Sequence, residues 1–238
     1  MKHIALIYSM LFCLALSVTA RQKVLVFSKT AGYHHKSIAA GVPAIIKLGQ
    51  ENNFDVDTTT DAEKFTYQNL KQYAAVIFLS TTGNVLNDAQ QADFEKYIRA
   101  GGGFVGVHSA TDTEYDWPWY GNLVGAYLKN HPAPQNAAFD VVDRNFIATK
   151  HLPAVWTRFD ELYNFKWMAP NLHVVITIDE KSYTGGNMGE NHPMSWYHEY
   201  DGGRAFYTEL GHTDEAYADP LYLKHLLGGI VYAMGRKK

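Results

Sequence analysis

Apolar positions along the chain fall into two regimes. Up to about residue 110, short unbroken apolar runs alternate with segments whose apolar residues recur at helical spacing. "KVLVFSKT" (23–30), "AAVIFLSTTGN" (74–84) and "GFVGVHS" (103–109) are such runs, and each ends in a polar loop. They read as strands of a parallel sheet buried on both faces. "FDVDTTTD" (54–61) alternates instead and reads as a further strand. Between them, "KSIAAGVPAIIKLGQENN" places Ile38, Val42, Ile45, Ile46 and Leu48 near one helical face, with Ser37 as a cap and Pro43 as a bend. In "NDAQQADFEKYIRAGGG", Asn87 and Gln90 form a capping-box pattern, Phe94, Tyr97 and Ile98 a buried stripe, and Gly101 a helix stop. Strand–helix alternation of this kind predicts an α/β fold: an open, mostly parallel sheet with helices on both faces.

The second half is less regular and richer in strands. "AAFDVVD", "NLHVVITID", "MSWYHEYD" and "GRAFYTELG" each read as a strand, and "WPWYGNLVGAY" as a short helix. "DPLYLKHLLGGIVYAMG" is a closing helix with Pro220 near its start and Leu223, Leu226, Leu227, Ile230 and Val231 on one face. With no repeat, low-complexity tract or Pro/Ser-rich linker, residues 21–238 are expected to form a single domain.

Residues 1–20, "MKHIALIYSMLFCLALSVTA", carry Lys2, an apolar run and a small-residue ending. They read as a signal peptide, too short and wrongly flanked for a stable membrane span, so the protein is expected to be exported, periplasmic or extracellular. Cleavage there removes Cys13, the only cysteine. A cysteine nucleophile, a disulfide and a cysteine-ligated zinc are thereby excluded from the mature chain. The net charge of −3 and the lack of a basic run argue against a nucleic-acid partner.

Ligands of an open parallel sheet bind beyond the carboxyl ends of its strands. That rule selects the loop with His34, His35 and Lys36 after the first strand, and "HSATDTEYDWPWY" with His108, Ser109 and Asp112 after the fourth. Gly106-Val107-His108-Ser109-Ala110 fits a sharp elbow that lifts its central side chain to the sheet edge. An imidazole there could be a general base, a metal ligand or a hydrogen-bond donor, or could simply brace the loop.

The stretches "GYHHKSI", "GGGFVGVHSATDTEYDWPWYGNLVGAYLKNHP", "FDELYNF" and "HPMSWYHEYDGGRAFYTELGH", with the closing helix, resemble the ThuA-like (trehalose utilisation) family. The resemblance implies a flavodoxin-like fold related to class I glutamine amidotransferases, with His108 where those enzymes hold a cysteine, so amidotransferase chemistry should be absent. It also implies carbohydrate metabolism, in particular of disaccharides and oxidised keto sugars. It directs attention to His34, His108, His131, Asp160, Glu161, Trp196, Arg204 and His212.

The resulting expectation is an exported enzyme acting on a small carbohydrate by proton transfer, of lyase, isomerase or hydrolase type. His108 is its acid/base, His34 or His212 assists, and Ser109, Asp112, His131, Glu161, Trp196 and Arg204 contact the ligand. His34, His108, His131 and His212 could also hold a divalent metal such as zinc, although no local ligand spacing such as HExxH is present. A non-catalytic carbohydrate-binding protein is the alternative, motivated by the aromatic-rich second half and the missing nucleophile.

Overall fold

The computed structural model describes residues 21–236; the segment read as a signal peptide lies outside them. The elements run β1 (Gln22–Phe27), α1 (Ile38–Glu51), β2 (Phe54–Thr59), α2 (Tyr67–Leu70), β3 (Ala75–Leu79), α3 (Asp88–Arg99), β4 (Gly103–Val107) and α4 (Pro118–Val124). They continue as β5 (Ala126–Asn130), β6 (Gln135–Val141), β7 (Val155–Asp160), β8 (Asn164–Met168), β9 (His173–Ile178), β10 (His192–Tyr200), β11 (Gly203–Thr208) and α5 (Pro220–Ala233). A nine-stranded sheet has the order β2-β1-β3-β4-β11-β10-β9-β6-β7, and β5 pairs with β8 in a separate ribbon. Strands β2 to β11 in that order are mutually parallel, and every pairing from β11 outward to β7 is antiparallel.

The parallel half follows from its sequence. Alternate residues of β1, β3 and β4 feed two cores on opposite faces: Val24, Ile77 and Val105 on one, Leu25, Phe78 and Phe104 on the other. Helices α1 and α5 cover the first face through Ile45, Leu226 and Ile230. Helices α3 and α4 cover the second through Phe94, Ile98, Tyr120 and Leu123. Both halves of the Asn87–Gln90 capping box form, and Gly101 adopts φ +94° just past the helix.

The closing helix differs from expectation in the face it buries. Leu226 and Ile230 point inward with Tyr222, His225, Gly228, Gly229 and Ala233, while Leu223, Leu227 and Val231 are only partly covered. The glycines are the reason. A Cβ on Gly229 would lie 2.1 Å from the Phe206 ring, and one on Gly228 would lie 2.3 Å from Ala148. The helix therefore seats its least bulky side directly on β11 and the 146–149 turn. Among the described residues, no helix is long and apolar enough to cross a membrane.

Candidate functional site

The fourth strand ends in the elbow that its glycine pattern suggests. His108 directly follows β4 at φ +52°, a left-handed conformation that non-glycine residues seldom adopt. Gly106 leaves room for the turn, since a Cβ there would meet Tyr207 at 3.0 Å and Ala110 at 3.2 Å. Two buried phenols fasten the corner: Tyr207 donates to the His108 carbonyl at 2.7 Å, and Tyr120 to that of Ala110 at 2.8 Å. His108 Nδ1 lies 2.8 Å from the carbonyl oxygen of Glu209. A carbonyl only accepts, so Nδ1 carries the proton, and the lone pair of the neutral ring sits on Nε2.

That Nε2 is the centre of a cluster drawn from four separate segments. His35 Nε2 and His212 Nδ1 each lie 3.1 Å from it, Tyr163 Oη 3.2 Å and Glu161 Oε2 3.3 Å. Glu161 Oε2 is also 3.2 Å from His212 Nδ1, and its other oxygen is 2.9 Å from His131 Nδ1. One donor atom from each of His35, His108, Glu161 and His212 falls within 4.8 Å of all the others.

Buried Asp160 assembles this arrangement. Its carboxylate accepts from the backbone N–H groups of Glu161 (3.1 Å), Gly211 (3.1 Å) and His212 (3.0 Å), and from Arg158 Nη2 at 3.0 Å. The end of β7 is thereby tied to the loop after β11, which carries Glu161 and His212 to the same point.

The electrostatics are polarised. Burial alone would raise the Glu161 carboxyl, but the His108 and His212 imidazoles beside it outweigh that and hold the group well below the usual carboxylate range. The hydrogen bond to Glu161 raises His212 in return. His35 is pushed down to about 3 by burial and by the neighbouring imidazoles of His108 and His212, so it is neutral near pH 7. Behind His108, burial drives the fully enclosed Glu209 carboxyl well above its ordinary value, and its Oε2 has no hydrogen-bond partner. Asp112 is raised mainly by burial, against a 2.7 Å hydrogen bond from Tyr115.

A cavity of about 390 Å³ opens onto the cluster, a size typical of small-ligand sites (about 300–1,000 Å³). Its wall includes Asp112, His131, Glu161, Tyr163 and His212, with Leu128 and Pro134 as apolar surface. A smaller hollow of about 220 Å³, bordered by Lys36, Asp214 and Glu215, shares Tyr33, His35 and His212 with it.

Of the sequence-selected residues, His108, His131, Glu161 and His212 come together, and Asp112 joins them in the cavity wall. Several roles need correction. His108 is wholly buried and lies beneath the cluster, outside the cavity wall, and so is not placed to touch a ligand there. His34 is exposed and pairs with Thr30 at 3.2 Å; its neighbour His35 turns inward instead. Ser109 is sealed and lies 3.3 Å from His35 Nδ1. Trp196 is a core residue, stacked on Tyr207 and donating to the Val124 carbonyl at 2.9 Å. Arg204 pairs with Gly103 at the opposite end of β4, and its guanidinium holds the Gly101 and Ala233 carbonyls. His131 reaches the group only through Glu161, outside the four converging donors. The sequence reading missed His35, Tyr163 and Glu209. The adjacent His34-His35 pair signalled an inward histidine without saying which, and Glu209 shares "YTELGH" with His212.

An elbow with histidine at its corner thus ends the fourth strand of a parallel sheet with an antiparallel extension. The chain belongs to the ThuA family, described as trehalose utilisation, whose profile matches residues 23–233. Membership supports a carbohydrate-related role. Among solved structures, the chain is similar to a protein described as ThuA-like from Bacteroides uniformis, with 24% identity, a TM-score of 0.79, and coverage of 95% of this chain and 97% of that one. A second protein described as ThuA-like, from Parabacteroides merdae, shares 20% identity at a TM-score of 0.73, covering 92% of each chain. A β-galactosidase from Bacillus circulans shares 14% identity at a TM-score of 0.59; the match spans 93% of this chain but 32% of the enzyme. At these identities the likeness is one of fold. A comparison with curated proteins returned no match.

Proposed function

We propose that this protein is an exported enzyme that acts on a small carbohydrate, a disaccharide or a keto-sugar derivative, by proton transfer in the cavity above His108. The observation that carries this reading is the Glu161–His212 contact at 3.2 Å in the wall of that cavity. One partner is held ionised and the other is raised toward its protonated form. The contact holds a proton acceptor and a proton donor side by side at one point of the cavity wall.

His131 extends the pair toward solvent. Its ring is partly exposed and holds the second Glu161 oxygen at 2.9 Å, so a proton can pass between water and the carboxylate. Asp112 and Tyr163 face the same space and can bind sugar hydroxyls. His108 fixes the geometry from below. A proton next to a keto group, or a glycosidic oxygen that must be protonated on leaving, is the type of target such a pair suits.

The test is product analysis with disaccharides and their 3-keto derivatives, comparing wild type with Glu161→Gln and His131→Gln. Turnover in wild type that drops by roughly 100-fold or more in Glu161→Gln supports the reading, in keeping with the usual contribution of one acid/base group. Saturable sugar binding without turnover would favour a non-catalytic binding protein. Export is tested by fractionating the native host and sequencing the mature amino terminus, which should begin at Arg21.

A further inference from the structure

We infer that His35, His108, Glu161 and His212 bind a divalent first-row transition ion of the zinc class. The inference is independent of which carbohydrate, if any, the cavity receives.

His108 Nε2 carries a single lone pair, because Nδ1–H donates to the Glu209 carbonyl. Four polar atoms nevertheless stand within 3.3 Å of it: His35 Nε2, His212 Nδ1, Tyr163 Oη and Glu161 Oε2. A single lone pair accepts one hydrogen bond. A carboxylate oxygen, moreover, has only lone pairs to offer, so its approach to that atom needs a proton or a metal ion between them, and one proton satisfies only one of the four approaches. A cation receiving one lone pair from each of the four ligating groups accounts for all of these approaches. Tyr163 is left over, free to donate to a ligand in the cavity.

The spacing agrees. Zinc bonds of about 2.0–2.1 Å to nitrogen and oxygen put tetrahedral neighbours roughly 3.3–3.4 Å apart. Four of the six separations among these donors are 3.1, 3.1, 3.2 and 3.3 Å, and all six lie within 4.8 Å.

The outer sides of the ligands are held as metal ligands usually are. The Glu209 carbonyl fixes His108, Ser109 Oγ lies 3.3 Å from His35 Nδ1, and His131 holds the second oxygen of Glu161. Three nitrogens and one carboxylate oxygen suit zinc, cobalt or nickel better than magnesium or calcium. With the ion in place His212 and Glu161 are ligands, so the acid/base pairing proposed above belongs to the metal-free site, and in the loaded site His131 is the proton-transfer group facing the cavity.

The experiment uses the mature chain, stripped with a chelator and dialysed. Zn²⁺ is titrated by calorimetry, and Co²⁺ by its visible absorption. Wild type should bind one equivalent of each, and Co²⁺ should show the intense bands of a low-coordinate, nitrogen-containing site. Glu161→Gln and His212→Gln should weaken binding by roughly 100-fold or more, since groups that merely orient ligands already cost about 10–100-fold. His34→Gln should bind as wild type does. Thermal unfolding of each variant without metal confirms that it is folded. Absence of saturable binding in wild type, an aquo-like Co²⁺ spectrum, or equal affinity in wild type and both cluster variants would overturn the inference. Metal binding is read without any sugar present, so failure here is distinguishable from failure of the proposed function.

Discussion

The Nδ1–H of His108 donates to the Glu209 carbonyl across 2.8 Å, joining the corner after β4 to the residue that follows β11. These strands are parallel neighbours in register, Val107 beside Thr208. The bond fixes the imidazole tautomer and requires the corner to hold its left-handed turn. His108→Asn keeps a residue that tolerates this conformation but removes Nε2, whereas His108→Val adds a β-branch at φ +52°. Urea denaturation should show the Val variant less stable than the Asn variant by roughly 1–2 kcal/mol. Equal stabilities would mean that the backbone strain is unimportant.

Adjacent histidines should behave in opposite ways. His34 is exposed, with one 3.2 Å contact to Thr30, while His35 is buried against His108 and Ser109. His34→Ala should leave stability within about 0.5 kcal/mol and activity unchanged. His35→Ala should abolish activity in the same assay. The reverse ranking would place the wrong histidine in the site.

Asp160 is expected to matter for assembly more than for chemistry. It is fully buried, pairs with the nearly buried Arg158 at 3.0 Å and accepts three backbone N–H groups. Asp160→Ala leaves that guanidinium and those amides short of their partner, a loss of about 3–5 kcal/mol for a broken buried pair. Asp219, the more exposed partner of Arg158 at 3.5 Å, should cost at most about 1 kcal/mol when replaced by Ala. Chemical denaturation of the two variants checks the ordering.

Acid sensitivity should trace in part to His225, which lies outside the cluster. Burial lowers it to about 3, and its ring sits between the Ala148 carbonyl at 2.8 Å and Thr208 Oγ1 at 3.2 Å. The unfolded chain takes up a proton near pH 6.5 that the folded protein refuses until about pH 3. Its contribution is therefore fully present above about pH 6.5 and is lost as pH falls below it, by about 1.4 kcal/mol per unit. Between pH 7.5 and 5.0, wild type should lose roughly 2 kcal/mol more than His225→Gln. Parallel pH profiles for the two proteins would refute this assignment.

Much of the parallel half was legible because its strands are buried on both faces and so carry unbroken apolar runs, as "AAVIFLS" does. Strands β5, β7 and β8 escaped notice because their patterns are broken. "VWTRFD" puts Val155 and Phe159 at the surface and buries Trp156 and Asp160. The elbow at His108 was readable from Gly106 and Ala110, which the turn needs for space. Its partners were less so. Whether His34 or His35 points inward depends on a loop without periodicity, and Arg204 looked like a ligand clamp until strand register put it beside Gly103. Glu161 became part of the site through hydrogen bonds from Gly211 and His212 to Asp160, about fifty residues apart in the chain, which no local pattern encodes.

The proposed function requires a carbohydrate to be processed in the cavity beside Glu161, His131 and Tyr163. A crystal structure of Glu161→Gln soaked with a turned-over disaccharide or 3-keto-disaccharide tests it most directly. The expected result is a sugar ring in that cavity, with a hydroxyl or keto oxygen within hydrogen-bond distance of Tyr163 or His131. A sugar bound elsewhere while this cavity holds only water would contradict the account.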